Sequence, residues 1–172
     1  LDRLVKTTNF DKKSISYTYD KFGNRLSVTD PDGEETNYEY DERNRLTTVT
    51  IGDDETRYEY YEDGLIKLIV HSNGSVADYG YADSYDDAGR LLYMVNRHSD
   101  DPDGETAGIT PPANKLISSF RYEYDADGNR TAQEERHREI NGGAAETTTY
   151  EYDAFDRLTN VAYANGAAIS YT

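Results

Sequence analysis

The chain contains no cysteine and no tryptophan, and it has only one methionine, three histidines and four prolines among its 172 residues. Without cysteine it can form neither a disulfide framework nor a thiolate site. The histidines, His71, His98 and His137, lie far apart in the sequence. None of them forms a recognisable catalytic triad pattern with a serine and an aspartate. We therefore predict a protein that is not an enzyme, with no catalytic residue, no metal site and no cofactor.

Basic residues are also scarce, since 18 Lys and Arg face 34 Asp and Glu and give a net charge of −16. Nucleic acids are bound mainly through Lys and Arg, and anionic membrane surfaces attract the same side chains. No apolar run approaches the length that crosses a bilayer. The sequence thus predicts no nucleic-acid partner and no membrane insertion.

Leu, Ile, Val and Phe supply only 29 residues, about 17% of the chain. Low apolar content with high net charge is typical of disordered segments. The 17 tyrosines change that interpretation. Most of them recur at fixed positions, where a ring can be buried while its hydroxyl stays polar. We therefore predict a folded chain.

One phrase recurs along the sequence: Tyr-x-Tyr-Asp, a short gap, Asn, Gly or Asp, and then Arg-Leu. The copies are about twenty residues apart, and such a period indicates a repeat architecture. The predicted structural motif residues are Tyr17, Tyr19, Asp20, Arg25 and Leu26; Tyr38, Tyr40, Asp41, Arg45 and Leu46; Tyr58 and Tyr60; Tyr85, Asp86, Arg90 and Leu91; Tyr122, Tyr124, Asp125 and Arg130; and Tyr150, Tyr152, Asp153, Arg157 and Leu158.

Each copy predicts a β-hairpin. The Tyr-x-Tyr segment alternates as a strand does, and the gap before the next apolar run is too short for a helix, so the strands must be antiparallel. A left-handed backbone is expected at the residue before the Arg, where only types that tolerate it occur. These residues are Asn24, Asn44, Gly64, Gly89, Asn129 and Asp156. A β-bulge in the second strand accounts for the imperfect alternation after each turn.

The Asp and the Arg of each copy are four or five residues apart and would face each other across the turn. One worn copy has Tyr61 in place of the Asp and Leu65 in place of the Arg. Joint loss is what a contact predicts, because losing one partner leaves a charge unsatisfied. Two independent surface charges are the alternative, since exposed ion pairs often contribute little.

Between the hairpins, the run 65–70 is apolar enough for a buried strand. Residues 96–115 are polar, contain three prolines and lack the period, so they are predicted to be an inserted surface loop. Residues 131–149 form a long polar stretch, which predicts a long polar hairpin or a flexible loop. Both ends look like halves of a repeat, so residues 1–172 are expected to be a single repeat domain, a fragment of a longer array.

The recurring phrase resembles the YD repeat of the Rhs proteins and is similar to the repeats of teneurins and of the cocoon-forming proteins of insecticidal toxin complexes. The resemblance implies an all-β fold of tandem antiparallel β-hairpins forming one curved or spiralling sheet, as a fragment of a YD-repeat shell or solenoid. It also implies an extracellular or cell-surface location. Shell members often end in a self-cleaving region with an Asp-Pro-x-Gly context, but the match at 101–104 lies mid-chain, so that activity is not expected here.

Function is then predicted to be a non-catalytic structural scaffold, a segment of a toxin-encapsulating shell from a large secreted or cell-surface protein. The alternative is an adhesion or carbohydrate-binding module, with the tyrosine rows stacking on sugars. The expected partners are the flanking repeats of the parent chain, with weak head-to-tail self-association between the two unpaired sheet edges. Asp125 to Asn129 resembles part of a calcium loop but lacks its remaining ligands.

Overall fold

In the computed structural model, the described residues are 3–80, 84–98, 116–138 and 142–171. They form an all-β protein of tandem antiparallel hairpins, as the sequence predicts. No helix among them is long and apolar enough to cross a membrane. The chain divides into two compact units, Leu1–Gly74 and Ser75–Thr172, where the sequence predicts a single domain. Strands of a repeat array contact only their neighbours, so a division between compact units can fall at any turn.

The first unit contains seven described strands that follow one another in chain order across the sheet. They are β1 (Lys6–Thr8), β2 (Ser14–Tyr19), β3 (Arg25–Thr29), β4 (Glu35–Tyr40), β5 (Leu46–Ile51), β6 (Asp54–Tyr60) and β7 (Ile66–His71). Strand β7 lies in the run predicted as a buried strand, and it carries Leu68 and Val70, the buried apolar side chains of this unit.

The second unit likewise has seven described strands in chain order. They are β8 (Ser75–Asp78), β9 (Tyr93–His98), β10 (Leu116–Tyr124), β11 (Arg130–His137), β12 (Glu146–Tyr152), β13 (Leu158–Ala162) and β14 (Ala168–Ser170). Its buried apolar side chains are Val76, Val95 and Val161. The segment 131–149 supplies most of β11 and the first half of β12, which pair as antiparallel strands.

The predicted inserted loop, residues 96–115, begins too early. Residues 96–98 complete β9, and the remainder, 99–115, lies outside the described residues. The polar composition of residues 96–98 favours a surface loop, but Arg97 is a strand residue. Its side chain is buried against Asp78 of β8, with 3.1 Å between Nη2 and Oδ2. A buried charge is tolerated in a strand when a counter-charge and hydrogen bonds satisfy it.

The predicted bulges are confirmed. In five hairpins the strand register shifts just before the second tyrosine, so that one extra residue enters the second strand. In β4 and β5, for example, Glu39 pairs with Thr48 while Tyr40 pairs with Leu46. Such a bulge moves later side chains to the other face of the strand, which explains the broken alternation.

Candidate functional site at the Asp turns

A five-residue turn begins at the motif Asp, or at Tyr61 in the worn copy, and the same two backbone hydrogen bonds close it in every copy; we call it the Asp turn. At Asp41, the backbone N–H donates to the carbonyl of Arg45 at 2.9 Å, and the N–H of Asn44 donates to the carbonyl of Asp41 at 3.0 Å. The same pair of bonds closes the turns that begin at Asp20, Tyr61, Asp86, Asp125 and Asp153. The turn is therefore counted from the Asp, and its third and fourth positions are the third and fourth residues after it.

The left-handed residue is always at the third position. It is Asn44, Gly64, Gly89 and Asp156, as predicted, but Gly23 and Gly128 in the remaining two turns. The prediction of Asn24 and Asn129 was wrong, because it counted backwards from the Arg, which follows the Asp at five residues there rather than four.

The Asp carboxylate organises its own turn. In the turn at Asp41, Oδ1 accepts the backbone N–H groups of Arg43 and Arg45, both at 2.9 Å. Equivalent bonds reach the carboxylates of Asp20, Asp86, Asp125 and Asp153. A side chain that satisfies otherwise open backbone donors stabilises a turn that leaves the sheet ladder.

The predicted Asp–Arg contact forms only where the spacing is four. The guanidinium of Arg45 reaches Asp41 Oδ2 at 2.7 Å, that of Arg90 reaches Asp86 Oδ2 at 2.6 Å, and Arg157 reaches Asp153 at 2.7 Å through Nε. In the worn copy, the turn from Tyr61 keeps both backbone bonds without either charge. The pair thus supports a turn that does not depend on it.

Where the spacing is five, an asparagine takes the place of the Arg. The side-chain amide of Asn24 donates to Asp20 Oδ2 at 2.8 Å, and that of Asn129 donates to Asp125 Oδ2 at 3.2 Å. Arg25 therefore occupies the position of Leu46, and its guanidinium lies 5.3 Å from the centre of the Tyr38 ring. Leu26, predicted as the equivalent of Leu46, is the exposed bulge residue instead.

These contacts lower the pKa of each motif Asp. For Asp41 and Asp86 the backbone N–H of the fourth residue is the largest cause, and for Asp153 it is the side chain of Arg157. For Asp20 and Asp125, partial desolvation raises the pKa, but the hydrogen bonds from the neighbouring asparagine and the turn amides together outweigh it. The ionised form of all five carboxyl groups is therefore favoured more in the folded state than in the unfolded state.

Stability should accordingly depend on pH in the acid range. A carboxyl group whose pKa is lower in the folded state stabilises the fold above its unfolded pKa, about 3.9 for Asp, and that contribution is lost as the pH falls through the folded value. We expect the thermal midpoint to be steady from pH 7 to 5 and to fall steeply below about pH 4. Asp41→Asn should flatten this fall, as measured by circular dichroism melts at each pH. An identical pH profile in the variant would contradict the assignment.

In five of the motifs the second tyrosine connects its hairpin to the one before it. The hydroxyl of Tyr60 donates to the carbonyl of Leu46 at 2.7 Å, and Leu46 is the fifth residue after Asp41. The same bond recurs from Tyr19 to Leu4, Tyr40 to Arg25, Tyr124 to Leu91 and Tyr152 to Arg130. In these five motifs one tyrosine hydroxyl thus binds the preceding hairpin at a fixed position.

Several of the tyrosine rings are covered by an arginine of the preceding hairpin. Arg45 lies 4.6 Å from the centre of the Tyr60 ring, and Arg90 lies 4.9 Å from that of Tyr124. Stacking of a guanidinium on an aromatic face is favourable, more so when both are partly desolvated. The covered tyrosine rings therefore contribute to packing between hairpins.

Tyr60→Phe is expected to lower the free energy of unfolding by about 0.5–1.5 kcal/mol, because it removes one hydrogen bond and leaves a carbonyl without its donor. Tyr58→Phe is the matched control, since it changes the first tyrosine of the same motif, whose hydroxyl makes no such bond in the described residues. Urea denaturation of both variants measures the difference, and equal effects would contradict the role of the Tyr60 hydroxyl.

We next consider metal-ligating groups and histidines in the described part of the chain. It contains no group of three or more metal-ligating side chains placed to hold an ion. His71 Nδ1 lies 3.3 Å from the hydroxyl of Thr56, and His137 Nε2 lies 3.6 Å from Glu135. Asn24 and Asn129 were not identified from the sequence as side-chain donors to the turn Asp. The glycine that precedes each of them, at the third position of the turn, was the signal in the sequence.

Comparison with known proteins places these hairpins among repeat proteins. The model of the RHS Repeat family matches residues 1–35, 19–56 and 139–168. The tRNA3(Ser)-specific nuclease WapA of Bacillus spizizenii is 27% identical over 89% of this chain, which spans only 9% of that protein.

Solved structures show the same fold at lower identity. A crystal structure of TcdB2-TccC3 with Cdc42 superposes with a TM-score of 0.65 at 22% identity, covering 86% of this chain and 7% of that one. The Photorhabdus luminescens Tc holotoxin pore gives a TM-score of 0.65 at 23% identity, covering 89% of this chain and 7% of that one. The chain thus spans less than a tenth of these relatives.

Proposed function

The chain belongs to the RHS-repeat family, and on that premise we propose that it is a non-catalytic scaffold segment of a YD-repeat shell or spiral in a large secreted or cell-surface protein. In such a protein its partners are the neighbouring repeats of the parent chain. Its fold is that of the TcdB2-TccC3 structures, whose repeats belong to much longer chains. A toxin-enclosing role is the specific form of scaffold that we propose.

The use of the motif side chains is the observation that carries this proposal. Within Asp41 to Tyr60, the carboxylate binds its own turn, the guanidinium of Arg45 covers the next tyrosine, and the Tyr60 hydroxyl binds back to Leu46. The recurring polar groups are thus used in holding successive hairpins together. A catalytic site would instead leave such groups facing a substrate.

The similarity to a tRNA-specific nuclease is therefore assigned to its repeat scaffold and not to its nuclease activity. The purified chain should leave mixed tRNA intact after prolonged incubation with magnesium, and gel electrophoresis measures this. Cleavage that increases with chain concentration, and that a point substitution at His71 or His137 abolishes, would overturn the non-catalytic assignment.

Carbohydrate binding or adhesion through the tyrosine rows is the alternative that the structure does not favour. The rings of Tyr60 and Tyr124 are covered by arginines, and their hydroxyls already donate to backbone carbonyls. A glycan array should show no specific binding. Specific binding lost in Tyr60→Ala but kept in the surface variant Glu42→Ala would support adhesion and contradict the scaffold role.

Weak self-association is part of the proposal. Among the described residues, β1 pairs only with β2 and β14 only with β13, and all residues of β1 and β14 are exposed. Unpaired edges are templates for another strand, while the net charge of −16 opposes contact at low salt. Analytical ultracentrifugation should show more association at higher salt. Association that persists without residues 166–172 would contradict an edge-to-edge contact.

A further inference from the structure

In five pairs of successive turns the fourth residue of one turn faces the third residue of the next, and the two residue types vary together. An arginine precedes a glycine in the pairs Arg3–Gly23, Arg45–Gly64 and Arg90–Gly128. An asparagine precedes an asparagine or aspartate in the pairs Asn24–Asn44 and Asn129–Asp156. Arg3 is included because Tyr19 binds the carbonyl of Leu4 as Tyr60 binds that of Leu46.

In the arginine pairs, the guanidinium extends over the backbone of the next turn. Nη1 of Arg3 donates to the carbonyl of Asp20 at 2.6 Å, and Nη1 of Arg45 donates to that of Tyr61 at 2.8 Å. A Cβ atom at Gly23 would lie 3.0 Å from Nη2 of Arg3, tighter than nine in ten Cβ contacts, so the end of the arginine side chain would have to move by a few tenths of an ångström. A side chain at Gly23 would therefore shift the guanidinium of Arg3, whereas a Cβ atom at Gly128 would lie in ordinary contact, 3.6 Å from Nη1 of Arg90.

In the asparagine pairs, a side-chain hydrogen bond replaces the backbone contact. The amide of Asn24 donates to Oδ1 of Asn44 at 2.8 Å, and the amide of Asn129 donates to Oδ1 of Asp156 at 2.8 Å. The carboxylate of Asp156 can only accept, which sets the direction of the bond. A glycine at the third position would leave this amide hydrogen without its acceptor.

The backbone of the receiving turn differs in the same way. The third residue has φ of 105°, 98° and 96° at Gly23, Gly64 and Gly128, but 60° and 59° at Asn44 and Asp156. Values near 60° lie in the left-handed region that Asn and Asp tolerate, whereas values near 100° lie beyond it and suit only glycine. No Cβ contact exists at Gly64, so its backbone angle alone accounts for glycine there.

We propose that these two positions form a recognition pair that decides which hairpin can pack after which. Arginine selects a following turn with glycine in the wide conformation, and asparagine selects one with Asn or Asp in the left-handed conformation. The inference concerns hairpin assembly and holds whether or not the scaffold function is correct.

A swap between the two pair types tests the proposal. Asn24→Arg alone should lower the thermal midpoint by about 2–4 °C, and adding Asn44→Gly should recover at least half of that loss. Lys12→Gly is the matched control, because Lys12 has φ of 63° in a turn that does not contact residue 24. Its effect should simply add to that of Asn24→Arg.

The reciprocal swap uses Arg90→Asn and Gly128→Asn in the second unit, where the double variant should melt above Arg90→Asn alone. In a crystal structure of the first double variant, φ at position 44 should move from 60° towards the 96–105° of the arginine-paired turns. Additive effects at either pair, or recovery by Lys12→Gly equal to that by Asn44→Gly, would overturn the recognition pair. If a single variant fails to fold, a folded double variant supports the pair and an unfolded one counts against it.

Discussion

Asp78→Ala is expected to lower the free energy of unfolding by about 3–5 kcal/mol, because it takes the counter-charge from a guanidinium that is buried inside the second unit. The side chains of Asp78 and Arg97 are 0% and 5% exposed, and the carboxylate also accepts the N–H of Gly80 at 2.8 Å. Urea denaturation measures the change. No comparable loss is expected elsewhere among the charged side chains of the described strands.

A matched control separates burial from charge. Lys67 and Glu59 form a pair of 3.2 Å that is largely exposed, so Glu59→Ala should cost less than about 1 kcal/mol. Replacing both buried partners, as Asp78→Leu with Arg97→Met, should leave the stability near that of the parent or above it. Equal losses in Asp78→Ala and Glu59→Ala would show that the buried pair is not a special contributor.

Leu68→Ala is expected to cost about 2–5 kcal/mol in the free energy of unfolding, through lost apolar burial and the cavity that remains. Leu68 is completely buried in β7, and the other buried aliphatic side chain among the described residues of this unit is Val70. Each such residue therefore carries a large share of the core.

Leu26→Ala is the matched control, because it makes the same substitution at an exposed position. Leu26 is 41% exposed at the bulge of β3, and its loss should change the stability by no more than about 0.5 kcal/mol. An effect as large as that of Leu68→Ala would mean that Leu26 packs as Leu46 does, and it would contradict the register observed between β2 and β3.

Periodicity and turn chemistry were predictable from the sequence because both are local. The Tyr-x-Tyr alternation and the short gap to the next apolar run allow only antiparallel hairpins. A left-handed residue admits few amino-acid types, so Gly64, Gly89, Asn44 and Asp156 were recognisable from their letters. The bulges were also predictable locally, because the alternation of apolar and polar residues is interrupted after each turn.

The frame of the repeat was decided by the backbone of the turn. Arg25 and Arg130 look like Arg45 in the sequence, but the turn is counted from the Asp, and that count puts Asn24 and Asn129 in the place of Arg45. The hydrogen bonds that close the turn have a fixed geometry. The Arg-Leu dipeptide, by contrast, can begin four or five residues after the Asp without changing those hydrogen bonds. This is why two of the six left-handed residues were misplaced.

Contacts between distant residues were decided only by the tertiary structure. Arg97 meets Asp78 across nineteen residues, and Arg90 reaches the turn at Asp125 across thirty-five. The sequence by itself determined that the chain folds into hairpins and which residues turn it. The contacts between hairpins and the burial of particular charges depend on residues from neighbouring strands. The number of residues between such strands varies along the chain, and no local sequence pattern indicates it.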